Sequence, residues 1–341
     1  MEYGKFTYAE IIDQPAAWAE GLNLVQAEKT TLASMLSGEY DQVLFTGCGS
    51  TYYLSLAAAA LFQELTGNQA RAVPGGELLL NPRTVLSSGK TLLVAISRSG
   101  ATSETIRAVD QFRQFQRGPV LVITNNGDQR LAKLADQVLV IEKGKERSVA
   151  QTRSFASMYV TAVALCALAA GRDDLLEAMT SLPAQGERLI RDCEPVARRF
   201  GEAPGFDRFY FLGSGMLYGL ACEGNLKMKE MTLTHSEPFH FLEFRHGPMS
   251  MVNRSTFVVG LLSDANRLFE HQVLSEMKAL GGSVVSLGET DAVVTFQSQV
   301  PEAVRGVFYL PFLQLMAFYR SKYKGLNPDQ PTNLSAVVLL E

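Results

Sequence analysis

Short runs of unbroken apolar residues recur along the chain, and each gives way to a stretch with helical spacing. QVLFTGCGS (42–50) runs into STYYLSLAAAALFQELTG (50–67), and TLLVAISRSGATSETIRAVDQF (91–112), PVLVITNNGDQRLAKLAD (119–136) and QVLVIEKG (137–144) follow the same plan. Continuous apolar strands alternating with helices predict a doubly wound parallel sheet with helices on both faces, an α/β architecture of three αβα layers. Residues 8–36 read as helices with Pro15 at a helix start, and 154–200 as an almost wholly helical connector. The second half repeats the programme: RFYFLGSGMLYGLACEGNLKMKEM (208–231) resembles VLFTGCGSTYYLSLAAAALFQEL (43–65), with strand candidates in STFVVGLLSD, GGSVVSLGE and AVVTFQS behind it. This predicts an internal duplication. The Gly/Pro-rich FGEAPGF suggests the boundary, giving a helical lead-in over 1–36, a first domain with its connector over 37–200 and a second over 201–341. The region 302–325 reads as helical, and the prolines of LNPDQPTNL leave a turn or extended segment after it.

Composition narrows the class. A chain of 341 residues, 47% hydrophobic and 19% charged, is long enough for two globular cores. The net charge of -4 and the lack of a basic run give no reason to expect a nucleic-acid partner. Cys48, Cys166, Cys193 and Cys222 form no CxxC pair, so reduced thiols and a cytoplasmic setting are expected. MEYGKFTYAE shows no signal-peptide pattern, and MYVTAVALCALAA (158–170) is too short to span a bilayer and reads as a buried helix.

The titratable residues concentrate between Glu223 and Pro248, in EGNLKMKEMTLTHSEPFHFLEFRHGP. Lys227, Glu230 and Thr234 share helical i, i+3, i+7 spacing, so one face would carry a base, an acid and a hydroxyl, with Pro238 ending any helix. Such density suits acid–base work on a small polar substrate, although a solvated helix and polar loop would look the same. His240, Glu243 and His246 lie at i, i+3, i+6, but Pro and Gly break the segment and the spacing is not a zinc motif, so no metal is expected. Met216, Met228, Met231, Met249 and Met251 read as core filling, and 266–271 as part of an ordinary amphipathic helix.

Two loops fall where strands of an α/β sheet hand over to helices, the place such sheets bind ligands. GCGST (47–51) offers Gly49, Ser50 and Thr51, and SRSGATSE (97–104) offers Ser97, Arg98, Ser99 and Thr102. Orphan N–H groups at a helix start together with several hydroxyls suit a phosphate dianion, while plain N-capping explains hydroxyls without any ligand. Neither loop is a P-loop, and no acidic residue is placed for a dinucleotide ribose, so no nucleotide cofactor is expected.

Taken in order, these motifs resemble the sugar isomerase (SIS) family, in particular the two-domain isomerase half of glucosamine-6-phosphate synthase and the free-standing amino-sugar phosphate deaminases. YAEIIDQP (8–15) looks like the family's N-terminal segment, GCGST and SRSGAT like its sugar-phosphate loops, ERSVAQTRSF (146–155) like its E-x-x-V-A-x-T-[KR] segment, EGNLKMKE and EFRHGP like its catalytic region, and DQPTNL (329–334) like its C-terminal signature. The resemblance implies a tandem pair of SIS domains and a site without metal or organic cofactor. It implies that Gly49, Ser50, Thr51, Ser97, Arg98, Ser99, Thr102 and Ser335 line a sugar-phosphate site, with Val149, Ala150 and Gln151 along the sugar. Glu230 would move a proton between C1 and C2, Lys227 would orient it, and His246 would assist ring opening from a neighbouring subunit. A homodimer with a shared active site would follow.

One departure sets the expected subtype. The synthase has an imine-forming lysine just after the last signature, where this sequence has Ala336. Nor is a glutaminase domain or its cysteine expected, since position 2 is Glu2. The resemblance therefore favours a deaminase that turns a hexosamine 6-phosphate into ketose 6-phosphate and ammonia. Deglycation of a 6-phosphorylated sugar–amino-acid adduct and aldose–ketose phosphate isomerisation stay open. So does a non-catalytic sugar-phosphate sensor, which would need the hydroxyl loops but not Glu230 and His246, and for which no helix-turn-helix extension is visible.

Overall fold

A computed structural model describes residues 3–115 and 117–340; Glu2 lies outside them. The chain starts with α1 (Lys5–Ala27) and α2 (Lys29–Leu36). Then come β1 (Gln42–Gly47), α3 (Ser50–Thr66), β2 (Ala70–Pro74), α4 (Gly75–Leu80), α5 (Pro82–Val85), β3 (Thr91–Ser97), α6 (Ser103–Gln114), β4 (Val120–Thr124) and β5 (Gln137–Val140). Three helices follow: α7 (Arg153–Ala169), α8 (Asp173–Met179) and α9 (Leu182–Gly201). The second series is β6 (Arg208–Leu212), α10 (Met216–Thr232), β7 (His235–Phe239), β8 (Thr256–Leu261), α11 (Arg267–Ala279), β9 (Ser283–Gly288), β10 (Val294–Thr295), α12 (Glu302–Arg305) and α13 (Tyr309–Tyr323).

The strands form two five-stranded sheets of parallel pairs, ordered β2-β1-β3-β4-β5 and β10-β9-β8-β6-β7. Read from the edge strand that follows the first helix of each series, both orders are 2-1-3-4-5, the flavodoxin-like doubly wound order. This is the tandem αβα architecture and the duplication expected from the repeated strand–GxG–helix pattern. The contacts divide the chain into two compact units: one holds 13–146, 151–183 and the tail from Ser335, the other the stretch up to Ile12, 147–150 and 184–334.

Each core follows from its apolar runs. In the unit of the first sheet, β1, β3 and β4 are buried throughout. Leu44, Leu93, Val120 and Val122 meet Ile106, Val109 and Phe112 of α6 and Leu78 and Val85 of α4 and α5. The apolar stretch around 158–170 is indeed a helix with Ser154–Leu168 buried. Among the described residues no helix is long and apolar enough to cross a membrane. In the other unit, Tyr210, Leu212, Val258 and Leu262 pack on Val273, Leu274 and Met277 of α11, and Phe200, Phe206, Phe209 and Phe257 form an aromatic group with centroids 5.1 to 6.3 Å apart. Each such ring removes enough apolar surface from water to contribute several kcal/mol, about 25 cal/mol per Å².

Several expectations need correction. Pro15 lies inside α1 rather than at its start. It costs that helix one backbone hydrogen bond, and the burial of Ile11, Ala17 and Trp18 around it, each at 0% exposure, offsets the loss. The helix carrying Lys227 ends at Thr232, where Leu233 turns left-handed at φ 50°, not at Pro238. Pro238 sits in β7, an edge strand, which tolerates a residue with no N–H to donate. Thr234 is therefore past the helix and off the Lys227–Glu230 face. The edge strands β2 and β7 lack the unbroken apolar run of the central strands, Arg71 interrupting ARAVP and three polar residues opening HSEPF. Met216, Met228 and Met231 are core residues, but Met251 is 50% exposed.

Candidate active site

In the unit of the first sheet, β1 and β3 are neighbours, so the two hydroxyl-rich loops leave adjacent strands at their C-terminal ends. Gly49 precedes the first residue of α3 at φ 58°, ψ −125°, a conformation that glycine alone adopts cheaply. It turns the backbone so that Ser50 opens the helix. Thr51 spends its hydroxyl within the loop, accepting from Cys48 N–H at 2.9 Å and donating to the Cys48 carbonyl at 3.0 Å. Both bonds shape the loop. In the second loop, Gly100 N–H donates to Ser97 Oγ at 3.2 Å, Ala101 N–H to Ser99 Oγ at 3.2 Å, and Ser99 and Thr102 hydroxyls lie 3.3 Å apart at the start of α6. Ser50, Thr51 and Ser97 are each 3% exposed, while Ser99 and Thr102 are partly exposed.

Arg98 is held on both sides of its guanidinium. Nη2 donates to the Ala336 carbonyl at 2.8 Å, and Nη1 is 3.8 Å from the buried Glu146 carboxylate. The chain's tail also meets α6 directly: Ser103 N–H donates to the Val338 carbonyl at 3.2 Å and Arg107 Nη2 to the Leu340 carbonyl at 3.2 Å. Ser335, exposed, donates its hydroxyl to the Val337 carbonyl at 2.9 Å. Glu146 accepts from Thr152 N–H at 2.8 Å and Thr152 Oγ1 at 2.7 Å, and from the Ser154 hydroxyl. These bonds tie Glu146 to the start of α7, beside partly buried Gln151.

In the other unit, α10 starts behind Gly215, at φ 57° and ψ −134°, the same turn as Gly49. Near its far end Lys227 is 1% exposed, 3.3 Å from Glu223 Oε1 and 2.5 Å from Glu230 Oε2. Burial works against the lysine charge, but the Glu223 and Glu230 carboxylates together raise its pKa above the usual value. The Glu223, Lys227 and Glu230 side chains are 2%, 1% and 20% exposed, so the acid that faces outward is Glu230. His246 ends a single 3-10 turn (Glu243–Arg245) and is exposed. His240 stacks on Tyr218 with ring centroids 3.9 Å apart, and its burial lowers its pKa. Val149 N–H donates to the Asp329 carbonyl at 3.0 Å beside buried Ala150, and Glu10 accepts Arg147 N–H at 2.6 Å and the Ser148 hydroxyl. Among the described residues no three His, Cys, Asp or Glu side chains are grouped to hold a metal.

The structure thus brings together Gly49, Ser50, Thr51, Ser97, Arg98, Ser99 and Thr102 in one unit and Lys227 with Glu230 in the other. Sequence reasoning included Glu223, Glu146, Glu10 and Asp329 in its motifs but gave them no role. Glu223 had a signal, the favourable Glu-to-Lys i, i+4 spacing with Lys227; the other three act across long sequence separations.

The SIS domain model matches residues 35–168 and 206–295. The chain belongs to the SIS domain family. This SIS chain is 27% identical over 357 residues to glutamine–fructose-6-phosphate aminotransferase (isomerizing) of Methanothermobacter thermautotrophicus, an alignment covering 99% of this chain and 58% of that protein. It therefore spans little more than half of that relative. Among solved structures, glucosamine-6-phosphate deaminase from Thermotoga maritima superposes with TM-score 0.80 at 27% identity, covering 98% of this chain and 100% of the other. The tagatose-6-phosphate ketose/aldose isomerase of Escherichia coli shares the fold, with TM-score 0.86, 24% identity and 96% of each chain covered. These findings make it a member of a phosphosugar isomerase family.

Proposed function

We propose that this SIS protein deaminates a hexosamine 6-phosphate to the ketose 6-phosphate and ammonia. The observation that carries the reading is the buried Lys227 ammonium 2.5 Å from the one outward-facing carboxylate of its helix, Glu230. The 27% identity to a glucosamine-6-phosphate deaminase that the chain matches from end to end supports it, as does Ala336 at the place of the synthase's imine-forming lysine.

The hydroxyls and N–H groups of the loops at 47–51 and 97–102 take the phosphate, with Val149, Ala150 and Gln151 along the sugar. His246, contributed by a second copy of the chain, assists ring opening. Glu230 then takes the proton from C2 of the open amino aldose and returns it to C1, giving the 2-imino compound. Water adds at C2, the C2–N bond breaks and ammonia leaves, so the product is the 2-ketose. Lys227 keeps Glu230 in register and Glu223 balances the lysine charge.

The test is release of ammonia from glucosamine 6-phosphate, galactosamine 6-phosphate, their N-acetylated forms and a 6-phosphorylated fructosyl-amino acid. Ammonia from a free amino sugar is the expected result and names the epimer. An amino acid released in its place makes the protein a deglycase, and binding without turnover across the panel makes it a sensor.

A further inference from the structure

The duplication exposes a difference between the two sheets at their N-terminal ends. In the first sheet, Leu44 of β1 is sealed under Leu78, Val85 and Leu86 from α4, α5 and the residue after it. Gln42, 5% exposed, spends its amide on Ser87 Oγ at 3.2 Å and Thr91 Oγ1 at 3.0 Å. In the second sheet the residues paired with β8 in the same way are Arg208 and Tyr210, since Arg208 aligns with Thr256 as Gln42 aligns with Thr91. Here the edge strand is followed by two single 3-10 turns, Glu243–Arg245 and Pro248–Met251, in place of α4 and α5. Phe244, Met249 and Val252 still cover the central part, but the margin stays open.

What lies open is a cavity of about 520 Å³ lined by Arg208, Tyr210, Lys229, His235, Glu237 and Met251, within the common size range of small-ligand sites, roughly 300–1,000 Å³. Parallel register sets Arg208 beside His235 and Tyr210 beside Glu237, so these four side chains share one face of β6 and β7. Lys229 reaches the cavity from the last turn of α10. Neither cation nor Glu237 makes an ion pair among the described residues, and Arg208 Nη1 donates a 3.2 Å bond to the Met251 carbonyl on the rim. Two permanent cations and an imidazole around a recess with a single carboxylate leave an excess of positive charge that a bound anion would balance.

We propose that this recess binds a small phosphomonoester, with Arg208 and Lys229 on the phosphate and Glu237 on a hydroxyl or amino group of the same molecule. Arg208 offers the forked donor geometry that suits phosphate, Lys229 adds a point charge and His235 a ring N–H donor. The recess is built on the first residues of β6 and β7, whereas the GxG turn of the same sheet follows the last residue of β6, so the two occupy opposite ends of the strands. Lys229 is the residue before Glu230 on α10, so the recess and the proposed base lie on the same helix turn.

The experiment follows the four histidine Cε1–H signals of the intact protein by NMR during titration with inorganic phosphate, with sodium chloride at matched ionic strength as control. His235 is expected to move with phosphate and not with chloride. It should move equally in Ser97→Ala/Ser99→Ala, whose changes lie in the other sheet's loops, so failure of the proposed function leaves this readout intact. In Arg208→Gln/Lys229→Gln, and in Lys229→Glu alone at an exposed position that leaves the fold undisturbed, the midpoint should weaken at least about tenfold. A His235 signal unmoved in the wild type, moved as far by chloride, or moved with the same midpoint in Lys229→Glu overturns the proposal.

Discussion

Asp329 Oδ1 accepts both the backbone N–H and the hydroxyl of Thr7, each at 2.8 Å, across 322 positions of sequence. Asn327 Oδ1 takes Gly4 N–H from the same stretch, and the Asp329 carbonyl takes Val149 N–H. The DQPTNL signature is therefore the clasp that ties the start of α1 and the 147–150 segment to the second sheet's unit. These bonds of Asp329 are structural, which the motif alone did not reveal.

Removing that carboxylate leaves two buried donors without an acceptor. Asp329→Ala is expected to destabilise the protein by about 2–3 kcal/mol, and Asp329→Asn by less because one oxygen remains to accept. Chemical denaturation of the three proteins checks this, and equal midpoints for wild type and Asp329→Ala would remove the clasp from the account.

Lys227 is expected to matter twice. Lys227→Met leaves Glu223 and Glu230 without their shared cation, and loss of one partner of a buried ion pair costs about 3–5 kcal/mol. Adding Glu223→Gln should recover part of that loss, because the remaining buried charge then goes. Glu230→Gln leaves Lys227 paired with Glu223 and should cost less stability, keeping substrate affinity while kcat falls at least about a hundredfold, the usual scale for a general base. Near-normal turnover in Glu230→Gln would move the proton transfer to another residue.

Gly49 and Gly215 permit a comparison within one chain. Both hold the same turn, and a Cβ added at either meets nothing within 4 Å, so substitution brings backbone strain and no clash. Each alanine variant should lose about 1–3 kcal/mol of stability. Their effect on KM should differ, since Ser50 and Thr51 follow Gly49 whereas Met216 and Leu217 follow Gly215. Gly49→Ala should raise KM severalfold and Gly215→Ala should leave it unchanged; a matched rise in both would detach the first loop from phosphate binding.

The parts of this protein that were legible in its sequence are those encoded by local pattern. Apolar runs such as Leu92–Ile96 are buried on both faces of a parallel sheet and read as strands without help, and the repeated GxG turn disclosed the duplication. β7 was not legible because an edge strand needs little apolar character, and HSEPF looks like a loop until β6 pairs with it. In the candidate site, spacing joined Lys227 to Glu230, but the roles of Glu10, Glu146 and Asp329 depend on partners that only folding brings near. Thr51 and Arg98, which the resemblance places at the phosphate, also hold contacts inside the protein. Their contacts to Cys48, Glu146 and the tail carbonyl of Ala336 depend on loop geometry that composition does not carry.

Glu270 shows the same limit and yields a pH prediction. Its segment looked like an ordinary amphipathic helix, yet Leu268 is 87% exposed and Glu270 only 1%. Ser263 donates its N–H at 2.7 Å and its hydroxyl at 2.9 Å to the Glu270 carboxylate. Burial pushes the Glu270 pKa up from 4.5 to about 7; the Ser263 bonds and Arg267 pull it back, while Glu302 adds to the rise. The folded protein then holds a proton that the unfolded chain has released between these two values. The stability this group contributes is fully present below pH 4.5 and is lost as pH rises towards 7, by at most about 3 kcal/mol. Glu270→Gln keeps an acceptor for Ser263 N–H and cannot ionise. Its stability, followed by denaturant unfolding from pH 4.5 to 8, should fall less over this interval than that of the wild type, and parallel curves would show that Glu270 does not titrate in this range.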